Sequence, residues 1–357
     1  MSWPPNLQMV ASKSLGGAER WFIRFSRALS ELDAPAQLAI RKHSALSGMD
    51  LGGLVVHRLP YCTTWDPWSR QAVARLIDRV QPAIIQTYMG RATRLTRIVP
   101  GKGPVHLARL GGYYALGPYR HAHGWIGNTR MLCDWLVQQG LPANRVYHIY
   151  NFIDPPAPVA AERIAELREA QGLPDDAWLL ICLGRFVPVK GHTHLLAALG
   201  LLPESIAGRP LRLLMLGDGP LAPRLKRQAD QLGQSQRILW LGWQADPSPY
   251  LQMADLVVFP SLEEETLGNV ILESWAWGKP LLTASFRGAR ELARHSEDAW
   301  CVPCADARAL AQGIKTLLAD PPRMAQIAAC GHKRALNEFS RPAIMARYQE
   351  LYQQLAM

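Results

Sequence analysis

Short apolar runs alternate with stretches of helical spacing along almost the whole chain. In the first part, strand-like runs fall at residues 7–12, 37–41, 54–59, 83–88, 104–109 and 146–150. Ala18, Trp21, Phe22, Phe25, Ala28 and Leu29 recur at helical spacing, and further helices are predicted at 67–80 and 92–99. In the second part, strands are predicted at 178–183, 211–216, 238–241, 256–259, 280–284 and near 300–302, with helices such as 221–232 between them. Helices at 307–318, 324–337 and 341–355 follow. Regular alternation of strand and helix predicts an α/β protein with doubly wound parallel sheets, which bind ligands at the carboxyl ends of their strands.

Three of those strand ends carry candidate chemistry. Leu256 to Pro260 runs into the acidic turn Glu263-Glu264-Glu265-Thr266, then Leu267-Gly268-Asn269, then a helix that Gly278 and Pro280 stop. A glycine before a helix N-terminus leaves free N–H groups and a positive dipole end facing an anion. Glu265 and Glu273 lie eight positions apart, one before the helix and one inside it. Two carboxylates suit a phosphate site only if they grip neutral hydroxyls on either side of it, which is the layout of a nucleotide-sugar. An ordinary surface helix with an acidic first turn is the competing reading. The strand at 178–183 ends in Gly184-Arg185, with Lys190-Gly191 shortly after, so two cations stand ready to neutralise a diphosphate without a metal; surface solubility is the alternative. After the first strand, Gly16-Gly17 either lets backbone approach a phosphate or makes a tight turn before a helix.

A length of 357 residues accommodates two domains, and 48% apolar with 19% charged residues is the composition of a globular protein. No apolar run approaches a membrane span and no signal-peptide layout opens the sequence, so a cytoplasmic location is expected. Cys301 and Cys304 form a C-x-x-C, but no second pair completes a zinc site and no helix start favours redox chemistry, so structural thiols and no metal are expected.

The net charge of +10 lies entirely in residues 1–155, with 18 Lys and Arg against 8 Asp and Glu. Such asymmetry points to a polyanionic partner: a membrane surface, an anionic acceptor or nucleic acid. Arg70, Arg75, Arg79, Arg91, Arg94 and Arg97 concentrate the excess; the last three share one face of the helix expected at 92–99. No RNA-binding signature, zinc finger or helix-turn-helix pattern accompanies them, so no nucleic-acid partner is expected. Trp65, Trp68 and Trp125 are suited to an interface, and attachment to an anionic inner-membrane surface would be peripheral.

The E-x7-E at Glu265 and Glu273, its Gly268, the Gly-Lys-Pro at 278–280, the G-R-x4-K-G at 184–191 and the Gly-Gly-Ala-Glu-Arg at 16–20 together resemble the retaining GT-B glycosyltransferases of family 4, of the cell-envelope polysaccharide type. The resemblance covers nearly the whole chain, more specifically in the second half. It implies two Rossmann-like domains facing across a cleft: residues 1–155 binding acceptor, 156–340 binding donor, and a helix at about 341–357 returning to the first. Asn151-Phe152-Ile153-Asp154 is similar to the family's hinge, and Trp125 to Thr129 to its step into a helix at 130–139. Arg185, Lys190 and Glu265 are then the expected catalytic residues. Gly16, Gly17, Gly184, Thr266, Leu267, Gly268, Asn269, Val270 and Glu273 are expected to bind the donor. Where many relatives carry an acceptor-side histidine this chain has Arg109 or Leu110, with His106 three residues early, so Arg109 and His106 are both candidates. The implied activity is retaining transfer of a sugar from a nucleotide-diphosphate-sugar to a glycan or lipid-linked acceptor, in lipopolysaccharide or surface polysaccharide synthesis, with no cofactor and no metal. No Asp-x-Asp pair occurs. The alternatives are a relative acting on free nucleotide-sugar or a small soluble acceptor, and a catalytically silent sugar-binding protein.

Overall fold

Runs of Val, Ile and Leu without polar alternation need both faces covered, and residues 178–183, 256–259 and 281–284 are buried along their whole length. The computed structural model describes residues 2–357. Two units divide the chain: Met1–Asn151 with Arg341–Met357, and Phe152–Ser340.

The first unit holds β1 (Asn6–Val10), α1 (Gly17–Glu31), β2 (Ala36–Arg41), β3 (Val55–Leu59), α2 (Pro67–Val80), β4 (Ile84–Tyr88), α3 (Met89–Leu95), β5 (Val105–Leu110), β6 (Gly124–Gly127), α4 (Arg130–Gln138) and β7 (Val146–His148). Its strands form one parallel sheet in the order β3-β2-β1-β4-β5-β6-β7. Strand order reverses between β1 and β4, which is where a doubly wound sheet opens a crevice for a ligand. Helix α1 buries Trp21, Phe22, Phe25, Ala28 and Leu29, the stripe its spacing predicts. Helix α2 starts where Asp66 accepts from the Trp68 amide and Pro67 has no N–H that needs an acceptor.

The second unit holds α5 (Ala161–Ala170), β8 (Trp178–Leu183), α6 (His192–Gly200), β9 (Ser205–Ile206), β10 (Arg209–Leu216), α7 (Ala222–Gln231), β11 (Ile238–Gly242), α8 (Ser248–Met253), β12 (Leu256–Phe259), α9 (Asn269–Ala276), β13 (Leu281–Ala284), α10 (Arg287–Leu292), β14 (Trp300–Val302), α11 (Ala307–Leu318) and α12 (Pro321–Asn337). Its parallel sheet runs β11-β10-β8-β12-β13-β14, and short β9 pairs antiparallel with β10. The order reverses between β8 and β12, both buried along their whole length. Leu180, Cys182, Leu213, Met215 and Val258 of the sheet pack with Leu195, Leu199, Leu310 and Ile314 of the helices.

Helix α13 (Arg341–Ala356) belongs to the first unit. Its Tyr348 and Tyr352 are fully buried there. The Tyr352 hydroxyl donates to Gln86 Oε1 at 3.0 Å and accepts from Gln8 Nε2 at 3.1 Å, while the Tyr88 hydroxyl donates to Gln8 Oε1 at 3.0 Å. Each buried amide therefore has partners, which removes the cost of burying it.

Three expectations are corrected here. Helix α3 spans Met89–Leu95 rather than 92–99. Thr96 leaves the helix in an extended conformation while its hydroxyl donates to Ala92 O at 3.0 Å, so Arg97 lies past the helix and not on a shared face. Trp125, in β6, is buried among Leu110, Tyr119 and Leu132, with its Nε1 donating to Tyr119 O at 3.0 Å, and is no interface residue. Helix α5 has no buried residue, hence no apolar stripe for a sequence reading to find.

Candidate functional site

At the switch point of the second sheet, β8 and β12 end side by side, and each carries one of the two motifs. After Leu183 the chain passes Gly184 and Arg185 and turns through a short 3₁₀ segment, Pro188–Lys190. Gly191 follows at φ 65°, where a Cβ would stand 2.0 Å from Pro260 O. Only glycine lets this loop lie against the end of β12. The Leu262 amide donates to Val189 O at 2.8 Å and ties the two loops together.

That close approach brings Lys190 and Glu265 into contact: Nζ lies 2.7 Å from Oε2, with side chains 21% and 15% exposed. Ser261 Oγ donates to the same carboxylate oxygen at 3.3 Å. The lysine stem runs along Gly184, whose Cβ would lie 3.6 Å from Lys190 Cδ, and Nζ stands 5.1 Å from the Phe259 ring centre. Arg185 is exposed beside them, with no ion pair among the described residues. Behind Lys190, His192 is buried against Phe186, and burial, aided by the Lys190 charge, holds its pKa down to about 4.

Thr266 and Leu267 are buried, and Gly268 at φ 70° precedes α9. A Cβ on Gly268 would lie 2.6 Å from Phe286 and 2.7 Å from Phe259, so the backbone is seated between two rings. The Ile271 amide donates to Gly268 O at 2.9 Å. The Asn269 and Val270 amides lie before it in the first turn, where an α-helix has no intrahelical acceptors. Glu273 is half-buried on the next turn. The structure thus gathers Gly184, Lys190, Glu265 and the 266–270 turn around the ends of β8 and β12, and sets Glu273 further along α9.

Glu263, in the acidic turn, is held by two arginines. It pairs with Arg290 at 2.6 Å and Arg287 at 3.4 Å, and the Arg290 hydrogen bond is the main cause that lowers its pKa. Gly288 completes this support, since a Cβ there would stand 1.8 Å from Thr266 O. Sequence reasoning passed over Arg287, Gly288 and Arg290, although Arg287 and Arg290 at i, i+3 opposite an acidic turn are a readable signal. Cys301 and Cys304 are free thiols; burial pushes Cys301 to about 12 and also raises Cys304, away from thiolate reactivity. Among the described residues no cluster of His, Cys, Asp or Glu is arranged to hold a metal.

In the first unit, Gly16 precedes α1 and Gly17 begins it, beside the end of β1. A Cβ on Gly16 would lie 2.9 Å from Glu19 Oε2, while the space beside Gly17 is open. Glu19, which sequence reasoning passed over, is only 5% exposed. Arg109, near the end of β5, is 5% exposed. Its Nε donates to the Tyr348 hydroxyl at 3.0 Å, its Nη2 to Asn151 Oδ1, and its guanidinium lies 4.5 Å over the Trp21 ring. Arg109 therefore locks helix α13 and residue 151 to the sheet. His106 is corrected from acceptor-side candidate to core residue. It is fully buried, Nε2 lies 3.0 Å from Thr87 Oγ1, and burial among His121 and His123 drives its pKa well below the ordinary value. It sits three positions before Arg109, hence on the opposite face of β5.

The sequence pattern of the Glycosyl transferases group 1 family matches residues 163–334. The lipopolysaccharide core biosynthesis glycosyltransferase LpsE of Rhizobium meliloti is 32% identical over 94% of this chain and 95% of its own length. LpsD of the same organism is 29% identical over 94% and 95%. Among solved structures, Anabaena HepE in complex with UDP-glucose superposes with a TM-score of 0.84 at 21% identity, covering 98% of this chain and 99% of that one. The fold is that of these GT-B neighbours. With a relative matched almost end to end and the family pattern lying over the unit that holds Lys190 and Glu265, the chain belongs to the group 1 glycosyl transferases.

Proposed function

We propose that this glycosyltransferase moves a sugar from a nucleotide-diphosphate-sugar to a lipopolysaccharide core or similar lipid-linked glycan, with retention of anomeric configuration and without a metal. The observation that carries the reading is the contact of Lys190 with Glu265 at the sheet's switch point. In this assignment the diphosphate lies against Arg185, Lys190 and the amides at 268–270, which stabilise the charge that grows as the glycosidic bond breaks. Glu273 holds the ribose hydroxyls, and Glu265 holds hydroxyls of the transferred sugar. No covalent protein nucleophile is required. The first unit takes the acceptor.

Two relatives support the acceptor class, since LpsE and LpsD both carry lipopolysaccharide core biosynthesis in their names. A nucleotide-sugar donor and a lipid-linked acceptor together assign the enzyme to the cytoplasmic side of an anionic inner membrane.

The test is a panel of nucleotide-diphosphate-sugars, read first by thermal stabilisation and then by transfer to lipopolysaccharide core acceptor with NMR of the product's anomeric centre. Stabilisation by one donor and a retained configuration are expected. No stabilisation by any donor, or an inverted product, sinks the reading.

A further inference from the structure

The arginine excess of the first unit is gathered at one place. Arg94 lies with its guanidinium 3.5 Å over the Trp65 ring, and partial burial, then the charges of Arg70 and Arg94, lower the pKa of Arg97. None of the three makes an ion pair among the described residues, and Arg94 Nε is buried without a hydrogen-bond acceptor. Like charges gathered on an exposed face repel one another and attract counter-charge from outside. Asp66, the carboxylate between Trp65 and Trp68, is occupied at the start of α2, where it accepts from the Trp68 amide and Ser69 Oγ.

Apolar surface adjoins this cluster. Trp65 is 74% exposed and Trp68 76%, and Val99, just beyond Arg97, is exposed as well. Trp68 and Arg70 line a groove of about 490 Å³ with Pro67, Gln71 and Ala74. Arg97 also lines a second groove of about 550 Å³ with Arg120 and Arg145. Two fully presented indoles beside unpaired guanidinium groups match the boundary of a bilayer, where indole rings settle at headgroup depth and arginines meet lipid phosphates. Single-stranded nucleic acid also pairs exposed indoles with arginines, but the sequence carries no RNA-binding signature and the groove beside Trp68 has apolar walls, which suit lipid.

We propose that the face formed by Trp65, Trp68, Arg70, Arg94 and Arg97 docks the protein on an anionic phospholipid surface. The inference rests on the lipid-linked acceptor proposed above and names the surface that brings the enzyme to it. No helix among the described residues is long and apolar enough to cross a membrane, so the proposed contact lies in the plane of the headgroups.

The test is flotation of the full chain with phosphatidylcholine vesicles and with vesicles that also contain phosphatidylglycerol. Binding at least about tenfold stronger to the anionic vesicles, weakening as salt rises, is expected. Trp65→Ser with Trp68→Ser, and separately Arg70→Gln with Arg97→Gln, should each lose roughly tenfold. Thermal stabilisation by the nucleotide-sugar should be unchanged in both variants, which establishes that they fold. Equal binding to neutral and anionic vesicles, or full binding by both variants, overturns the proposal. Loss in the arginine variant alone, together with displacement of vesicles by single-stranded RNA, overturns it in favour of a nucleic-acid site. Vesicle binding without any donor stabilisation would defeat the transferase reading and leave this one standing.

Discussion

Lys190 Nζ and Glu265 Oε2 stand 2.7 Å apart on the loops that follow two neighbouring strands. Each neutralises the other, so removal of one leaves the other as a partly buried uncompensated charge. In Lys190→Ala that charge is a carboxylate beside the donor's diphosphate. Turnover should fall about 10²-fold or more. Lys190→Ala with Glu265→Ala should depart from additivity by about 1–3 kcal/mol. Steady-state kinetics of the four proteins measures both, and independent effects would remove the pair from the mechanism.

The two carboxylates of the E-x7-E are expected to separate by ligand. Glu273→Gln should weaken binding of free nucleoside diphosphate, whereas Glu265→Gln should leave it nearly intact and lower transfer. Titration calorimetry with the nucleotide and with the nucleotide-sugar distinguishes them. Equal nucleotide affinity in the two variants means that the assignment is wrong.

Gly191→Ala tests the seating of one loop on the other. A methyl group would arrive 2.0 Å from Pro260 O at a positive φ, and neither backbone segment can yield without disturbing the Leu262–Val189 hydrogen bond. A loss of at least about 2 kcal/mol is expected from a urea midpoint. An unchanged midpoint would show that the loop relaxes freely.

Acid should weaken the fold before it titrates most carboxylates. His192 and His148 are each held down to about 4 by burial, from an ordinary value of 6.5. Above pH 6.5 both are neutral folded or unfolded and contribute nothing. Between 6.5 and 4 the unfolded chain takes up protons that the folded one refuses, so stability falls as pH falls, and below 4 the loss is complete. Each group contributes a slope of up to about 1.4 kcal/mol per pH unit. His192→Leu should flatten the slope measured by urea unfolding across that window; an identical slope would exclude His192.

Much of this was readable before any coordinates. Lys190 and Glu265 were named from strand ends because a doubly wound sheet leaves few places for a ligand, and the motifs fell on two of them. What escaped was decided by side chains meeting across loops. The i, i+3 spacing of Arg287 and Arg290 is legible, but which acid they meet is not, because Glu263 lies more than twenty positions away in sequence. His106 differs from Arg109 only by strand parity, and a strand boundary uncertain by one residue hides which face each takes. Trp125 carries a ring that suits an interface, yet its indole N–H finds Tyr119 O inside the unit, which composition cannot foresee.

The tyrosines of α13 carry a consequence in time. A chain grows from its N-terminus, so β1 and β4 leave the ribosome long before Tyr348 and Tyr352 exist. Until those residues are made, Gln8, Gln86 and Arg109 lack the hydroxyl partners that make their burial tolerable. The second unit has no such debt to later sequence, because every strand it pairs lies within Phe152–Ser340. During synthesis the second unit should close first and the first should wait, the face of β1 and β4 uncovered, for contacts 344 residues distant in sequence. A nascent chain stalled before residue 348 should therefore yield a protease-resistant second unit and a labile first one.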